Sequence, residues 1–195
     1  MNRAILVRHA ESAAGARGIL NGIDRLVVPL TDLGREQARA LGERLPELDL
    51  CVTSAFGRAV ETADVALAGR DVPRLVLSEL NEIAFGSYEG GDYLPYRAWA
   101  GAAGPADPSP GGGESRLDAV RRYVRGFRAL LARREDTILV VAHGLVVRYL
   151  LNALDGRDPT PLLDGVPCAE PYELKAPELE RAVDRLEAWT RDPRW

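Results

Sequence analysis

Short apolar runs alternate along the chain with longer stretches in which apolar residues recur at helical spacing. The runs have the length of strands, and the last of them is rich in β-branched residues. They are residues 4–7, 50–53, 74–77 and 137–142. Helical spacing covers residues 31–45, 56–67, 115–134, 144–154 and a tail that begins at 177. Strands that alternate with helices predict an α/β fold: a three-layer sandwich with a largely parallel central sheet and helices on both faces.

The apolar positions of the predicted helices indicate which sides are buried. In the helix at 31–45 we expect Thr31 to be the N-cap. The buried side of that helix would be Leu33, Ala38, Leu41 and Leu45. In the helix at 115–134 the inward residues would be Leu117, Val120, Val124, Phe127 and Leu131. The tail aligns Leu179, Val183 and Leu186, so we expect it to pack on the body of its own chain.

The segment 98–113 is rich in Ala, Gly and Pro, as a linker between two domains would be. Because the strand–helix pattern resumes after it, we interpret it as an excursion from a single domain that spans 1–195. The lid-like excursion would cover about 88–113 and the C-terminal helix about 177–190. Local packing and a substrate wall are both open for its aromatic residues Tyr88, Tyr93, Tyr96 and Trp99.

Charge and composition exclude several classes of partner. With 25 Lys+Arg against 29 Asp+Glu, the formal net charge of −4 does not suit nucleic-acid binding. No apolar run approaches the roughly 18 residues that cross a bilayer, and the N-terminal run is too short for a signal peptide, so we expect no membrane contact. Cys51, in a predicted strand, and Cys168 lack metal-ligand spacing, which predicts no zinc site and a cytoplasmic location.

Arginine dominates the basic residues, since Lys175 is the only lysine among the 25. A GC-rich genome explains this bias, because Ala, Gly and Pro are also abundant. Each arginine therefore has to be judged by its position.

The chain's only two histidines, His9 and His143, follow the apolar runs at 4–7 and 137–142. Ligands of open α/β sheets bind at the carboxyl ends of the strands, so equivalent places there indicate a shared site. Arg8 adjoins His9, and Arg58 begins the helix after the strand at 50–53. Two arginines and the helix N-terminus at Gly144 suit an oxyanion such as phosphate.

These residue types fit phosphoryl transfer. Neutral imidazole, with a pKa of about 6.5, is a nucleophile at neutral pH. A second, protonated histidine would stabilise charge on the equatorial oxygens, and we expect His143 to be most useful when charged. A buried carboxylic acid would protonate the leaving alkoxide.

Several blocks of the sequence, in this order, resemble the histidine phosphatase superfamily, that is, the phosphoglycerate-mutase-like phosphatases. The resemblance extends from about residue 3 to residue 155. The blocks are Leu6-Val7-Arg8-His9-Ala10-Glu11-Ser12, Pro29 to Ala38, Thr53-Ser54 with Arg58 and Glu61-Thr62-Ala63, Leu80-Asn81-Glu82-Ile83 with Phe85-Gly86 and Glu89-Gly90, Gly112-Gly113-Glu114-Ser115, and Val140-Val141-Ala142-His143-Gly144.

The resemblance implies a histidine acid-type phosphatase, a phosphoric monoester hydrolase that needs no cofactor. It implies that His9 is the phosphorylated nucleophile and Glu82 the proton donor. The implied phosphate pocket consists of Arg8, Arg58, His143 and Gly144. Asn21 and Gly22, and from the excursion Tyr88 and Tyr93, are candidates for substrate contact. Glu89 is interpreted as a structural partner and Glu114 as a helix-start residue.

The sequence departs from the family pattern at two places. Ala10 stands where the family usually has Gly, and Gly15 stands where many members have an Asn that touches phosphate. Asn21 is a candidate to replace that contact.

We expect hydrolysis of a small phosphorylated metabolite. Phosphomutase activity is the first alternative; mutases of the family carry a longer segment before the Gly-Gly-Glu-Ser block. A phospho-ligand-binding module without catalysis is the second. The leaving group is not specified, and a homodimer is possible.

Overall fold

The computed structural model describes residues 1–24 and 26–195, and its central element is a five-stranded sheet with the order β3-β2-β4-β1-β5. The strands are β1 Arg3–Arg8, β2 Leu50–Thr53, β3 Arg74–Val76, β4 Thr137–Ala142 and β5 Pro171–Lys175. The pairs β3–β2, β2–β4 and β4–β1 are parallel, and β5 pairs with β1 in the antiparallel direction. The predicted largely parallel sheet is confirmed.

Helices cover both faces of this sheet. They are α1 Ala13–Ala16, α2 Asp32–Arg44, α3 Gly57–Ala66, α4 Tyr93–Ala102, α5 Arg116–Leu131, α6 Gly144–Leu154 and α7 Ala176–Trp189, with 3-10 turns at Ser78–Leu80 and Gly86–Tyr88. None of the helices in the described ranges has the length and apolar character needed to cross a membrane.

Alternate residues of the strands belong to two separate cores, because successive side chains of a strand point to opposite faces. Leu6 and Val140 join the core under α5, α6 and α7. Ile5 and Val141 join the core under α2 and α3. The three-layer sandwich is therefore confirmed.

The predicted buried side of α2 is wrong at Leu33, whose surface is 52% exposed. The expectation is confirmed at Ala38, Leu41 and Leu45, which are buried. In the first turn Gly34 is buried in place of Leu33, and a Cβ at Gly34 would lie 2.1 Å from the carbonyl oxygen of Glu11. The close approach of that loop therefore places Gly34 rather than Leu33 on the inner side of α2. The predicted cap is confirmed, since Thr31 Oγ1 accepts a hydrogen bond of 3.0 Å from the Gly34 amide.

The structure contains two elements that the sequence pattern did not predict. The first is α4, which extends into the segment 98–113 as far as Ala102. The sequence pattern missed β5, whose Leu174 alone is buried. An edge strand with a proline and two charged residues lacks the apolar run of a central strand.

Candidate active site

A cleft of about 490 Å³ opens at the carboxyl ends of the parallel strands. This volume lies in the range of small-molecule sites. Predicted site residues that line it are Arg8, His9, Asn21, Arg58, Glu82, Tyr93 and Gly144. His143 lies beneath the lining, fully buried. The structure thus brings together side chains that are up to 135 positions apart in the sequence.

Strand register places the two histidines side by side. Arg8 pairs with Ala142 at the ends of β1 and β4, so that His9 and His143 are the next residues on neighbouring strands. Their ring centroids lie 5.2 Å apart, and the rings meet edge to face.

The backbone selects the tautomer of His9. Its Nδ1 lies 2.7 Å from the carbonyl oxygen of Ala10, which can only accept, so Nδ1 carries the hydrogen. Nε2 is then unprotonated, and it accepts a hydrogen bond of 3.0 Å from Nε of Arg58. Burial, and then the charge of Arg58, hold the pKa of His9 well below 6.5. His9 is therefore neutral at physiological pH, with the lone pair of Nε2 facing the cleft arginine.

His143 presents its other nitrogen to the same arginine. Its Nδ1 accepts from a terminal nitrogen of Arg58 at 3.2 Å, and Nε2 lies 2.8 Å from Oγ of Ser54. Burial, followed by the charges of Arg58 and His9, lowers its pKa well below 6.5. Burial and the neighbouring guanidinium therefore favour the neutral form of His143 in the ligand-free protein, and its charged form with phosphate bound stays a prediction.

Arg58 is the hub of the site. Besides its bonds to both histidines, it donates to two oxygens of Asn21. These are the side-chain oxygen and, at 2.9 Å, the backbone carbonyl oxygen. Its guanidinium stands 4.3 Å from the centroid of the Phe56 ring. Burial lowers the pKa of Arg58 to about 10, which leaves it charged at neutral pH.

Arg8 keeps part of its guanidinium free. One terminal nitrogen donates to the carbonyl of Val166 at 2.6 Å. Its buried Nε finds no acceptor in the described part of the chain. A Cβ at Gly144 would lie 3.7 Å from that Nε, so the start of α6 packs directly over this arginine. Arg8 Nε and the helix N-terminus therefore present unpaired positive character next to His9.

Glu82 lines the cleft, and its carboxyl group has a raised pKa. Burial is the main cause, and the charge of Arg58 opposes it. Its Oε1 accepts from the Ile83 amide at 3.0 Å. A carboxyl group of this kind retains its proton at a higher pH than an exposed glutamate does.

The backbone that carries Glu82 is held by Arg122 of α5. The Arg122 guanidinium donates to the carbonyls of Glu79, Asn81 and Glu82 at 2.9, 2.8 and 3.3 Å. Glu114 forms a 2.6 Å ion pair with Arg122. Glu114 thus lies just before α5, as expected, and has the further role of fixing Arg122.

Glu89 joins two loops beneath the cleft. Its carboxylate accepts hydrogen bonds of 2.8 Å from the amides of Gly22 and Phe85. Gly22 lies outside the lining and against this acid block, so its contact with substrate stays a prediction. A Cβ there would lie 2.2 Å from the Ile83 carbonyl oxygen, so close packing is the reason for glycine.

The aromatic cluster divides between packing and the cleft. Tyr93 lines the cleft and is 42% exposed. Tyr88 lies outside the lining and packs edge to face on Tyr96 at 5.7 Å, so its contact with substrate stays a prediction. The local-packing alternative therefore applies to Tyr88.

The two departures from the family pattern are accommodated differently. Ala10 is fully buried, and its amide donates to Oγ1 of Thr62 at 3.0 Å. Gly15 lines the cleft with no side chain, whereas Asn21 lies beside Arg58 and accepts a hydrogen bond from it through Oδ1.

Sequence reasoning missed several residues of the site. Ser54 and Thr62 stood inside the resembling blocks but received no role. The segment 161–166, which covers Arg8, carries no motif. Arg97 and Arg116 line the cleft, but the general excess of arginine concealed them. In the described ranges, no three His, Cys, Asp or Glu side chains gather as they would around a metal ion.

Fold and site together define an α/β protein with a cationic cleft built around two neutral histidines. The chain belongs to the histidine phosphatase superfamily (branch 1), whose family profile matches residues 4–188.

Named relatives lie on both sides of the phosphatase–mutase division. The adenosylcobalamin/alpha-ribazole phosphatase of Salmonella typhimurium is 35% identical over 164 residues, covering 78% of this chain and 79% of its own. A 2,3-bisphosphoglycerate-dependent phosphoglycerate mutase of Methylobacterium is 34% identical, with 96% and 97% covered. The solved structure of a putative alpha-ribazole-5'-P phosphatase from Escherichia coli superimposes with a TM-score of 0.74 at 28% identity, covering 89% of this chain and 90% of the other.

Proposed function

We propose that this protein is a phosphomonoester hydrolase that acts on a small phosphorylated metabolite through a phosphohistidine on His9. The observation that carries the proposal is the Nε2 atom of His9, unprotonated and 3.0 Å from Arg58. A neutral nucleophile next to a positively charged donor suits attack on a phosphate ester, whose oxygens would replace His9 as acceptors for Arg58.

In the first step Nε2 forms a bond to phosphorus, and the bond from phosphorus to the ester oxygen breaks. Nδ1 keeps its hydrogen and its hydrogen bond to the Ala10 carbonyl, and that carbonyl oxygen stabilises the positive charge of the ring. Arg58, Arg8 and the N-terminus of α6 stabilise the three outer oxygens. A bound phosphate also adds negative charge beside His143, which raises its affinity for a proton.

Glu82 transfers its proton to the leaving oxygen and becomes a carboxylate. In the second step it takes a proton from water, the water oxygen bonds to phosphorus, and the bond to Nε2 breaks. Glu82 ends protonated, so the cycle is complete with an alcohol and phosphate as products.

The phosphatases among the relatives support hydrolysis, and the phosphoglycerate mutases keep phosphomutase activity as the alternative. The short segment before Gly112 favours the phosphatase. Charge neutralisation by arginine makes a metal unnecessary in this scheme.

Cys51 and Cys168 are free thiols, which agrees with the proposed cytoplasmic location. A homodimer stays an expectation, which light scattering can test.

The test is phosphate release from a panel of phosphomonoesters, with the products identified by mass spectrometry. The wild type should release phosphate and, after acid-free quenching, carry one labile phosphoryl group. His9→Ala should lose both. Retained turnover in His9→Ala contradicts the mechanism, and an isomerised ester in place of free phosphate assigns the mutase reaction.

A further inference from the structure

Arg116, the first residue of α5, is a cation that the proposed phosphoryl chemistry does not use. It lines the same cleft as His9 and Glu82. Its Nε is buried and has no hydrogen-bond acceptor in residues 1–24 and 26–195. Within the same ranges no carboxylate lies within ion-pair distance of its guanidinium, although fourteen other ion pairs stabilise the fold. A buried N–H donor of a guanidinium without an acceptor is unfavourable unless a ligand supplies one.

The residues around Arg116 leave its Nε without a hydrogen-bond acceptor. Its guanidinium lies 5.6 Å from the centroid of the Tyr96 ring, a cation–π contact that supplies no acceptor for the Nε hydrogen. The Tyr96 hydroxyl is itself buried and has no partner in the described part of the chain. Tyr149, on the other side, interacts with the Arg116 side chain through its hydroxyl, which donates to the Thr160 carbonyl at 3.0 Å. Arg116 Nε and the Tyr96 hydroxyl, two buried donors without an acceptor in the described ranges, therefore belong to residues that line the same cleft.

The position of this wall relative to Glu82 identifies which part of a substrate it would meet. Arg116 and Glu82 line the same cleft, and the charge of Arg116 is one of those that lower the pKa of Glu82 against the larger effect of burial. Glu82 contacts the leaving oxygen in the proposed reaction. Arg8 and Arg58 already serve the phosphoryl group on the side of His9. Arg116, which lines the same cleft outside that group, is therefore left for the alcohol half of the ester.

The overall charge of the cleft agrees with an anionic alcohol half. Its lining carries four arginines, Arg8, Arg58, Arg97 and Arg116, against two carboxylates, Glu82 and Asp164. Arg97 extends from α4, the helix that also carries Tyr96. No side-chain hydrogen bond or ion pair within the described ranges engages Arg97, so it is available to the same ligand.

We propose that Arg116 is a specificity-determining residue that binds an oxyanion on the leaving-group half of the substrate, with Tyr96 and Arg97 beside it. The inference rests on the proposed hydrolase function and narrows its substrate class to phosphomonoesters whose alcohol bears a carboxylate or a second phosphate. The oxyanion would accept hydrogen bonds from Arg116 and from the Tyr96 hydroxyl.

Two matched pairs of esters test the proposal and distinguish the two anions. 3-Phosphoglycerate is compared with glycerol 3-phosphate for a carboxylate, and fructose 1,6-bisphosphate with fructose 6-phosphate for a second phosphate. The wild type should prefer the more acidic member of at least one pair in kcat/KM. Arg116→Gln should reduce that preference by about tenfold to a hundredfold, as expected for a hydrogen bond to a charged group.

Arg125→Gln is the matched control, since Arg125 is an exposed arginine on the same helix. It should retain the wild-type preference, and Arg116→Lys should retain part of it. Equal losses of Arg116→Gln on acidic and neutral esters would overturn the proposal, because they would assign Arg116 to the tuning of Glu82. Equal rates of the wild type on both members of both pairs would overturn it as well.

Calorimetric binding separates this proposal from the hydrolase function. His9→Ala cannot be phosphorylated, so 3-phosphoglycerate and fructose 1,6-bisphosphate can be titrated into it without turnover. Weaker binding to His9→Ala/Arg116→Gln supports the Arg116 site even if the wild type hydrolyses nothing, a result that rejects the hydrolase alone. Unchanged binding of both esters, together with normal hydrolysis by the wild type, rejects the Arg116 site alone.

Discussion

His9 and His143 have similar neighbours in the sequence, an apolar strand before and a small residue after, yet their surroundings give them different roles. The Ala10 carbonyl binds Nδ1 of His9, whereas the Ser54 hydroxyl binds Nε2 of His143. Opposite nitrogens of the two rings therefore face Arg58. Only Nε2 of His9 combines a lone pair towards the cleft with a carbonyl that stabilises the ring once it is charged.

The pH dependence of the reaction follows from these residues. His9 attacks only when neutral, and its pKa is well below 6.5, so kcat/KM should fall only at pH values below 6.5. Glu82 donates only when protonated, and its raised pKa shifts the alkaline limb upward from that of an exposed glutamate. Steady-state profiles of kcat/KM check both limbs. An acid limb at or above pH 6.5 would contradict the neutral His9.

Glu82→Gln tests the proton donor at the same scale. We expect kcat for an alkyl phosphate to fall by roughly 10²–10⁴, the usual contribution of general acid catalysis. The loss should stay below about tenfold for nitrophenyl phosphate, whose leaving group needs little protonation. The measurement is kcat on both esters for both proteins. Equal losses would remove Glu82 from the role of acid.

At the scale of elements, the ends of β1 and β4 supply the histidines, and α5 secures the loop that carries the acid. Arg122 reaches from α5 to the carbonyl groups of three residues in that loop. Elsewhere, two helices come close together at a position where one of them has a glycine. A Cβ at Gly42 of α2 would lie 2.2 Å from the Ala66 carbonyl oxygen of α3, so these helices approach through a glycine.

Arg122→Leu should lower both stability and activity, because it leaves Glu114 and three backbone carbonyls without their donor. We expect the free energy of unfolding to fall by about 2–4 kcal/mol, near the range for breaking a buried ion pair. Urea denaturation measures this loss, and kcat should fall more than KM rises. Arg121→Leu, on the exposed side of α5, is the control and should change stability by less than about 0.5 kcal/mol. Similar losses for both variants would contradict the role of Arg122.

Gly42→Ala and Gly57→Ala form a matched pair of helix substitutions. Alanine at Gly42 must displace the backbone of α3, so we expect a loss of about 1–3 kcal/mol, as in overpacked cores. No atom lies within 4 Å of a Cβ at Gly57, so alanine there should be neutral or stabilising by up to about 1 kcal/mol. Thermal unfolding of the two variants checks the order. A more stable Gly42→Ala would show that the helices are free to separate.

At the scale of the whole molecule, two cores on opposite faces of one sheet hold the site rigid from below. The C-terminal strand and helix complete the larger core, since α7 packs against both α5 and α6. α6 in turn begins at His143 and Gly144. The last part of the chain is therefore connected to the site through packing rather than through contact with the ligand.

Leu186→Ala tests that connection. Leu186 is buried between α7 and the core, so its truncation should cost about 2–5 kcal/mol of unfolding free energy. kcat should be unchanged at temperatures where the variant remains folded, because Leu186 lies outside the cleft lining. Chemical denaturation and kinetics on the same sample measure both effects. Glu180→Ala, exposed on the same helix, should change neither.

The sequence by itself determined the α/β sandwich, four of the strands and the proximity of His9, His143, Arg8 and Arg58. Periodicity and the carboxyl-end rule act on local patterns, and those patterns are strong here. The tertiary structure alone decided the exposure of Leu33 at the start of α2, the edge strand β5 and the protonation of the histidines. It also separated Tyr93 from Tyr88, and Arg116 from the other arginines. These features depend on which atoms approach from distant parts of the chain, because burial and hydrogen-bond partners set pKa and packing, and neither is encoded in spacing along the sequence.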